Sequence, residues 1–82
     1  MSEVGGGDGA LVVDCLGKAC PVPVIELAKA IGEVAIGGHV VVVADDPGAK
    51  VDIPVWCRMK AHDLVGVDEA EPGWRFRVRR AR

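Results

Sequence analysis

The fold is decided by residues 20–44, which read CPVPVIELAKAIGEVAIGGHVVVVA. In the first half of this stretch, apolar residues recur at intervals of three and four, which is typical of an amphipathic helix. The residues on that face are Val24, Leu27, Ala28 and Ile31. Pro21 fits the first helical position and Pro23 still lies in the first turn, where no intrahelical amide donor is needed. The spacing therefore predicts a helix that begins at Pro21.

The second half of the stretch predicts a strand over residues 40–44, because a continuous β-branched run between turn residues is typical of a strand buried in a sheet. Residues 11–13 form a shorter apolar run that predicts an earlier strand. With one helix between the two strands, we expect a parallel, right-handed crossover connection.

The remaining elements complete a two-layer architecture. Pro54 predicts the start of a short second helix that reaches Lys60 or Ala61. Residues 63–69 and 74–80 predict a hairpin, with its turn at residues 71–73. The order β-α-β-α-β-β predicts an α+β fold, a two-layer α/β sandwich in which a four-stranded mixed sheet carries two helices on one face.

Length and composition favour one small domain. The chain has 82 residues, which is enough for a single core. We expect a disordered leader over residues 1–10, which are polar and glycine-rich, and a single domain over residues 11–82. A net charge of −2 argues against a generally basic protein that coats nucleic acid. Without an apolar run long enough for a membrane span or a secretory signal, a cytoplasmic location is expected.

Cys20 is the leading candidate for a reactive residue. A cysteine at a helix start lies near unpaired backbone amides and the positive end of the helix dipole. Such a position lowers a cysteine pKa from about 8.5 to between about 3.5 and 7.5 and so favours the nucleophilic thiolate. Pro21 and Pro23 would stiffen this end of the helix. The alternative is a buried cysteine that only packs against the helix.

The motif Cys20-Pro21-Val22-Pro23 resembles the TusA/SirA-like sulfur carrier family. The resemblance covers roughly residues 11–80 and includes further blocks in the same order. Those blocks are Asp14, Leu16-Gly17, Ala44-Asp45-Asp46-Pro47, Asp52-Ile53-Pro54 and Cys57.

The resemblance implies that Cys20 takes up sulfane sulfur as a persulfide. The implied donor is a cysteine desulfurase or a rhodanese-like protein, and the implied acceptor is a protein of tRNA thiolation, molybdenum-cofactor maturation or sulfur metabolism. Contact with tRNA would be weak or indirect, and no membrane partner is implied. This sulfurtransferase relay requires no metal and no organic cofactor.

Two residues depart from the family pattern. Cys15 lies five residues before Cys20 and is either an auxiliary thiol, which resolves the persulfide or forms a disulfide, or a small packing residue at a strand end. Packing is favoured, because free cysteine commonly behaves as a small hydrophobe. Lys18 either adds positive charge beside the thiolate or is a solvated loop lysine.

The other polar candidates are predicted to be structural. We expect Cys57 to be buried and inert. Asp45 and Asp46 precede Pro47-Gly48 and are predicted to cap a turn or helix start. A zinc site is not predicted, because no Cys-x-x-Cys pair is present. His39 and His62 are predicted to be surface or hydrogen-bonded residues.

The last predicted strand alternates apolar and basic residues. Arg75, Arg77 and Arg79 fall on one face of it, and the chain from residue 73 onward holds five arginines and no acidic residue. This arginine stripe either docks an acidic partner or RNA phosphates, or is a solvated sheet face. A non-catalytic interaction module that uses this stripe, and a thiol redox sensor that joins Cys15 to Cys20, are the alternatives to a sulfur carrier.

Overall fold

The computed structural model describes residues 3–4 and 10–82. In that part of the chain the strands are β1 (Glu3–Val4), β2 (Leu11–Cys15), β3 (His39–Ala44), β4 (Asp63–Glu69) and β5 (Trp74–Arg79). The helices are α1 (Val22–Ile31) and α2 (Ala49–Lys60).

The strands form one mixed sheet in the order β1-β2-β3-β5-β4. Strands β2 and β3 are parallel across the α1 crossover, whereas β5 pairs antiparallel with both β3 and β4. Strand β3 is therefore central, with β2 on one side and β5 on the other. The predicted α+β fold, with four mixed strands and two helices, is confirmed.

Strand β1 is an addition to the predicted sheet. Glu3 pairs with Val12 and Val4 pairs with Leu11 in antiparallel register. Ala10 is buried, with 2% of its surface exposed. The expected disordered leader is corrected at these positions, because the free edge of β2 offers backbone groups with which an extended segment can pair whatever its side chains. Residues 1–2 and 5–9 of the predicted leader lie outside the described residues.

Helix α1 begins one residue later than predicted. Pro21 occupies the cap position and Val22 is the first helical residue, so Pro23 is the second. The buried face consists of Pro23, Leu27, Ala30 and Ile31. The proline at the second helical position costs no hydrogen bond, because a backbone amide in the first turn has no intrahelical partner.

Helix α2 begins five residues earlier than predicted, at Ala49, so Pro54 lies inside the helix. The start is set by a turn at residues 46–48, in which the Ala49 N–H donates to the Asp46 carbonyl oxygen at 2.9 Å. Proline in a helix interior costs about 3 kcal/mol. Burial of Ile53, Trp56 and Cys57 compensates for that cost. Proline was a misleading signal here because the turn that begins the helix lies upstream of it.

The core lies between the helices and one face of the sheet. Its largest fully buried side chains include one aromatic residue, and otherwise they are aliphatic apart from a proline and a cysteine. They are Phe76, Leu27, Ile53, Val40, Val42, Val78, Pro23 and Cys15. Neither described helix is long and apolar enough to cross a membrane.

The predicted hairpin is confirmed by β4 and β5, which pair with an irregularity between Leu64 and Gly66. Its turn depends on Gly73, whose φ is +83°. A Cβ atom at this position would also clash with the carbonyl oxygen of Ala44. Glycine is required here on both counts.

Candidate functional site

Cys20 lies in the loop between β2 and α1, two residues before the first helical residue. The loop is shaped by backbone hydrogen bonds from Lys18 N–H to Cys15 O at 3.1 Å and from Val22 N–H to Ala19 O at 3.0 Å. The Cys20 side chain is half-buried and packs against the core. Cys20 is therefore partly accessible as a residue while it contacts the core.

Two neighbouring aspartates tie this loop to the turn before α2. Asp46 Oδ2 accepts the N–H of Gly48 at 3.1 Å and the N–H of Cys20 at 3.4 Å. Asp45 Oδ1 accepts the N–H of Gly17 at 3.0 Å. The prediction that Asp46 caps a turn is confirmed. The additional bonds to the Cys20 loop join positions 26 and 28 residues apart.

Gly48 allows the start of α2 to approach the thiol closely. A Cβ atom on Gly48 would lie 3.0 Å from Cys20 Sγ and 2.8 Å from Asp46 Oδ2. The thiol and the Asp46 carboxylate thus meet at the same point on the helix start. Any side chain at position 48 would displace at least one of them.

The pKa of Cys20 is raised to about 12. Burial is the largest cause, followed by hydrogen bonds with Asp52 and Asp46 and then by the negative charges of these two carboxylates. The expectation that the helix start lowers this pKa is wrong, because the acidic neighbours favour the protonated thiol. Part of the reason lies in α1 itself, since Pro21 and Pro23 have no N–H to offer a thiolate.

The other two cysteines are buried. Cys15 ends β2 and is 1% exposed, and Cys57 lies in α2 and is 2% exposed. Burial, Glu26 and Asp14 raise the pKa of Cys15, while burial and Asp63 raise the pKa of Cys57 to about 11. Their surroundings agree with packing roles.

All three thiols are free, so the structure contains no disulfide between Cys15 and Cys20. Lys18 is exposed in the loop. Participation of Cys15 or Lys18 in the chemistry stays a prediction.

An apolar groove adjoins the thiol loop. It has a volume of about 230 Å³. Its lining residues are Pro21, Val24, Asp52, Val55, Trp56 and Met59. Because Pro21 follows Cys20 in the chain and lines the groove, the groove lies beside the Cys20 loop.

The arginine stripe of β5 lies on the sheet face away from the helices, since the alternating Phe76 and Val78 are in the core. Two of its members contact neighbouring strands. Arg79 forms a 2.9 Å salt bridge with Asp63, and Arg77 Nη1 lies 2.8 Å from His39 Nδ1. Arg75 is exposed and pairs in register with Asp68. The stripe is therefore partly matched by acidic residues of β4.

His62 is held in place by several contacts. Its ring stacks on Trp56 with centroids 5.5 Å apart, and its Nδ1 accepts the N–H of Ala81 at 3.1 Å. Both histidines are thus hydrogen-bonded residues, as predicted. In the described part of the chain, no group of three or more His, Cys, Asp or Glu residues is placed to hold a metal ion.

Sequence reasoning missed the part that Asp52 and Gly48 play in the site. In the sequence, Asp52 stands out only as part of a family block, whereas in the structure it contributes to the raised pKa of Cys20. Gly48 stands out in the sequence only as a turn residue. No local pattern identifies either residue, since both reach the thiol through the tertiary packing of α2 against the Cys20 loop.

These features define a small α+β domain with one accessible cysteine beside a helix start. Residues 11–80 match the family model described as Sulfurtransferase TusA. The chain belongs to this family, and the predicted resemblance is confirmed.

Two similar proteins come from Archaeoglobus fulgidus, and their names describe them as candidate sulfur carrier proteins. One is 37% identical over 70 residues, which covers 85% of this chain and 96% of the relative. The other is 41% identical over 61 residues, which covers 74% of this chain and 79% of the relative. A crystal structure of a SirA-like protein from Desulfitobacterium hafniense is similar with a TM-score of 0.70 and 26% identity, covering 83% of this chain and 92% of that one.

Proposed function

We propose that this protein is a sulfur carrier that accepts sulfane sulfur as a persulfide on Cys20 and passes it to an acceptor protein. One observation carries the choice of residue. Cys20 is the half-buried, accessible thiol, whereas Cys15 and Cys57 are 1% and 2% exposed. Membership of the TusA family and the names of the two archaeal relatives support the sulfur carrier role.

The transfer has two half-reactions. In the first, the sulfur of Cys20 attacks the outer sulfur of a donor persulfide, and the donor's S–S bond breaks to release its thiol. In the second, an acceptor thiol attacks the outer sulfur of the Cys20 persulfide and Cys20 leaves. No oxidant is needed, because the sulfane sulfur moves between thiols at one oxidation level.

The proposed partners are those that the resemblance to the TusA family implies. The donor is a cysteine desulfurase or a rhodanese-like protein, each of which carries a cysteine persulfide. The acceptor belongs to tRNA thiolation, molybdenum-cofactor maturation or sulfur metabolism, and we propose no direct role for the arginine stripe in that choice.

Mass spectrometry tests the proposal. After incubation with a cysteine desulfurase and cysteine, the wild-type chain is expected to gain one sulfur atom, about 32 Da, which reducing agent removes. Cys20→Ser is expected to show no gain. Cys15→Ala and Cys57→Ala are matched controls that keep Cys20 and are expected to retain the adduct. A wild-type chain that gains no sulfur, or a Cys20→Ser chain that still does, contradicts the proposal.

Oxidation of the same protein tests the alternative function, a thiol redox sensor. That function requires a disulfide between Cys15 and Cys20 under mild oxidant, although Cys15 is buried at the end of β2. Peptide mapping after oxidation detects such a bond directly. Its formation at low oxidant concentration, without sulfur uptake from the desulfurase, would favour the sensor over the carrier.

A further inference from the structure

The loop that carries Cys20 is held at two points by two consecutive residues of another loop. Asp45 Oδ1 accepts the N–H of Gly17 at 3.0 Å, and Asp46 Oδ2 accepts the N–H of Cys20 at 3.4 Å. Between these two points, residues 18–19 are exposed. An exposed loop moves readily unless its backbone is tied to the fold. The two bonds therefore restrict where the thiol lies.

The register of the sheet brings the two loops together. In the parallel pair of β2 and β3, Cys15 lies opposite Ala44. The chain leaves both strands at the same edge of the sheet, because the two strands run in the same direction. The Cys20 loop follows β2, and the two aspartates follow β3 directly. The contact between the loops is thus a consequence of the strand pairing.

Asp46 joins the Cys20 loop to α2 as well. The same atom that accepts the Cys20 amide, Oδ2, accepts the N–H of Gly48 at 3.1 Å. Gly48 is the cap residue of α2. A Cβ atom on Gly48 would lie 2.8 Å from Asp46 Oδ2 and 3.0 Å from Cys20 Sγ, so the carboxylate oxygen and the sulfur border the same small volume. One carboxylate therefore holds both the backbone of Cys20 and the helix start beside its sulfur.

The proposed reaction depends on the position of the thiol. The Cys20 sulfur has to attack the S–S bond of a persulfide that another protein holds. Misplacement of a reacting group by about 1 Å slows such a step by up to about 100-fold. Because Cys20 follows a run of exposed loop residues, 16–19, its position depends on the bonds to Asp45 and Asp46.

We propose that Asp46 is a positioning residue for sulfur transfer, which fixes the Cys20 backbone against the start of α2 through Oδ2 while Asp45 fixes the other end of the same loop at Gly17. This inference rests on the proposed function, since it assigns a role in the same transfer reaction. The role belongs to the oxygen atom of Asp46 as a hydrogen-bond acceptor and not to its charge.

Two substitutions separate the oxygen atom of Asp46 from its charge. Asp46→Asn keeps an acceptor oxygen at the same distance from the backbone and removes the charge. Asp46→Glu keeps the charge and moves the oxygen by one methylene group. The longer side chain has little room, because even a methyl group on Gly48 would lie 2.8 Å from Oδ2. We therefore expect asparagine to preserve the position of Cys20 and glutamate to disturb it.

Amide hydrogen exchange, measured by NMR on the full 82-residue chain, tests the contacts directly. In Asp46→Glu, we expect the amides of Cys20 and Gly48 to exchange about 10-fold faster, because both lose their acceptor. In Asp46→Asn, both amides are expected to exchange as in the wild type. The Gly17 amide is the internal control in both variants, since its acceptor is Asp45. Unchanged exchange at Cys20 and Gly48 in Asp46→Glu overturns the proposal.

Sulfur uptake from a cysteine desulfurase supplied with cysteine measures the effect on transfer. For Asp46→Glu we expect the maximal uptake rate to fall about 10-fold, because the thiol is no longer aligned. The carrier concentration that gives half of the maximal rate is expected to stay within about 2-fold, since alignment changes and docking does not. For Asp46→Asn we expect a maximal rate within about 3-fold of the wild type. Asp68→Asn, which removes an exposed carboxylate on β4, is the matched control and is expected to match the wild type.

Alkylation of Cys20 by iodoacetamide shows that the thiol of each variant is still present and accessible. This reagent needs no aligned protein partner, and its rate follows the thiolate fraction. At pH 7 we expect Asp46→Asn to react about 3-fold faster than the wild type, because a negative charge beside the thiol is removed. Asp46→Glu keeps that charge and is expected to react within about 2-fold of the wild type.

Three results would overturn the positioning role. Slow uptake by Asp46→Asn with normal uptake by Asp46→Glu would assign the effect to charge. A raised half-maximal concentration at an unchanged maximal rate would place Asp46 in the docking surface. Loss of both alkylation and uptake in Asp46→Glu would indicate a buried or unfolded thiol, which circular dichroism would distinguish. No sulfur uptake by the wild type would contradict the proposed function itself, whereas normal uptake by the wild type and by Asp46→Glu contradicts only the role of Asp46.

Discussion

Replacement of Gly48 by alanine tests the close approach of α2 to the thiol. The new Cβ atom would lie 3.0 Å from Cys20 Sγ and 2.8 Å from Asp46 Oδ2, and both separations are too short for unstrained contact. The φ of Gly48 is −60°, which alanine adopts without strain. Any loss of stability therefore does not arise from an unfavourable backbone φ at position 48.

The expected loss in the free energy of unfolding follows from the crowding that the new methyl group creates. Forcing a methyl group into a packed site costs about 1–3 kcal/mol. In a domain of this size, 1 kcal/mol lowers the melting temperature by about 4–8 °C. We expect Gly48→Ala to lose about 1–3 kcal/mol in the free energy of unfolding, measured by urea denaturation, with an unchanged dependence on urea concentration.

Gly66→Ala is the matched control for this experiment. A Cβ atom on Gly66, in β4, would have nothing within 4 Å, so we expect a change within about 0.5 kcal/mol. The double variant Gly48→Ala with Cys20→Ala removes the sulfur that the new methyl group would meet. Its loss is expected to be smaller than the sum of the single losses by at least about 0.5 kcal/mol. Equal stability of Gly48→Ala and the wild type would refute the close approach.

Three further predictions concern other features of the molecule. Gly73→Ala is expected to lower the free energy of unfolding by more than about 2 kcal/mol, measured by thermal unfolding. The new Cβ atom would clash with the Ala44 carbonyl oxygen, and alanine would have to adopt a positive φ. A loss below about 1 kcal/mol would contradict this. The pKa of His62 is lowered from 6.5, mainly by burial and then by Arg80, so the unfolded chain binds its proton more readily and stability is expected to decline as pH falls below 6.5. His62→Gln is expected to flatten that decline in urea titrations between about pH 7 and 5, and an equally steep decline would contradict it. In the folded protein, alkylation of Cys20 is expected to accelerate about 10-fold per pH unit from about pH 7 to 10. In urea it is expected to level off above about pH 9, because the ordinary cysteine pKa of 9.0 applies to the unfolded chain. A plateau near pH 7 in the folded protein would contradict the raised pKa.

Elements with a local signal could be predicted from the sequence. The apolar spacing of α1, the β-branched run of β3 and the alternation in β5 are each visible within ten residues, and all three elements are present. Their boundaries are less predictable. Pro54 resembled a helix start because proline is common there, yet the turn at residues 46–48 begins α2 earlier and packing of Ile53 and Trp56 keeps proline inside the helix.

The electrostatic character of the site could not be predicted in the same way. Position at a helix start argued for a lowered Cys20 pKa. The carboxylates of Asp46 and Asp52 overrule that effect, and they come from a different element, 26 and 32 residues along the chain. The contacts of the arginine stripe also depend on tertiary packing. Arg79 forms a salt bridge with Asp63, and Arg77 lies beside His39, so these two arginines are not simply solvated. Patterns in sequence locate a charge, but its partners depend on the sheet register.

A protonated resting thiol suits a carrier better than an activated one. The thiolate is the form that reacts with peroxides and with stray electrophiles, so a Cys20 with a pKa of about 12 is protected while it waits for a donor. On this reasoning, a variant that lowers the pKa of Cys20 is expected to be more reactive with small electrophiles, because a larger fraction of its thiol is ionised.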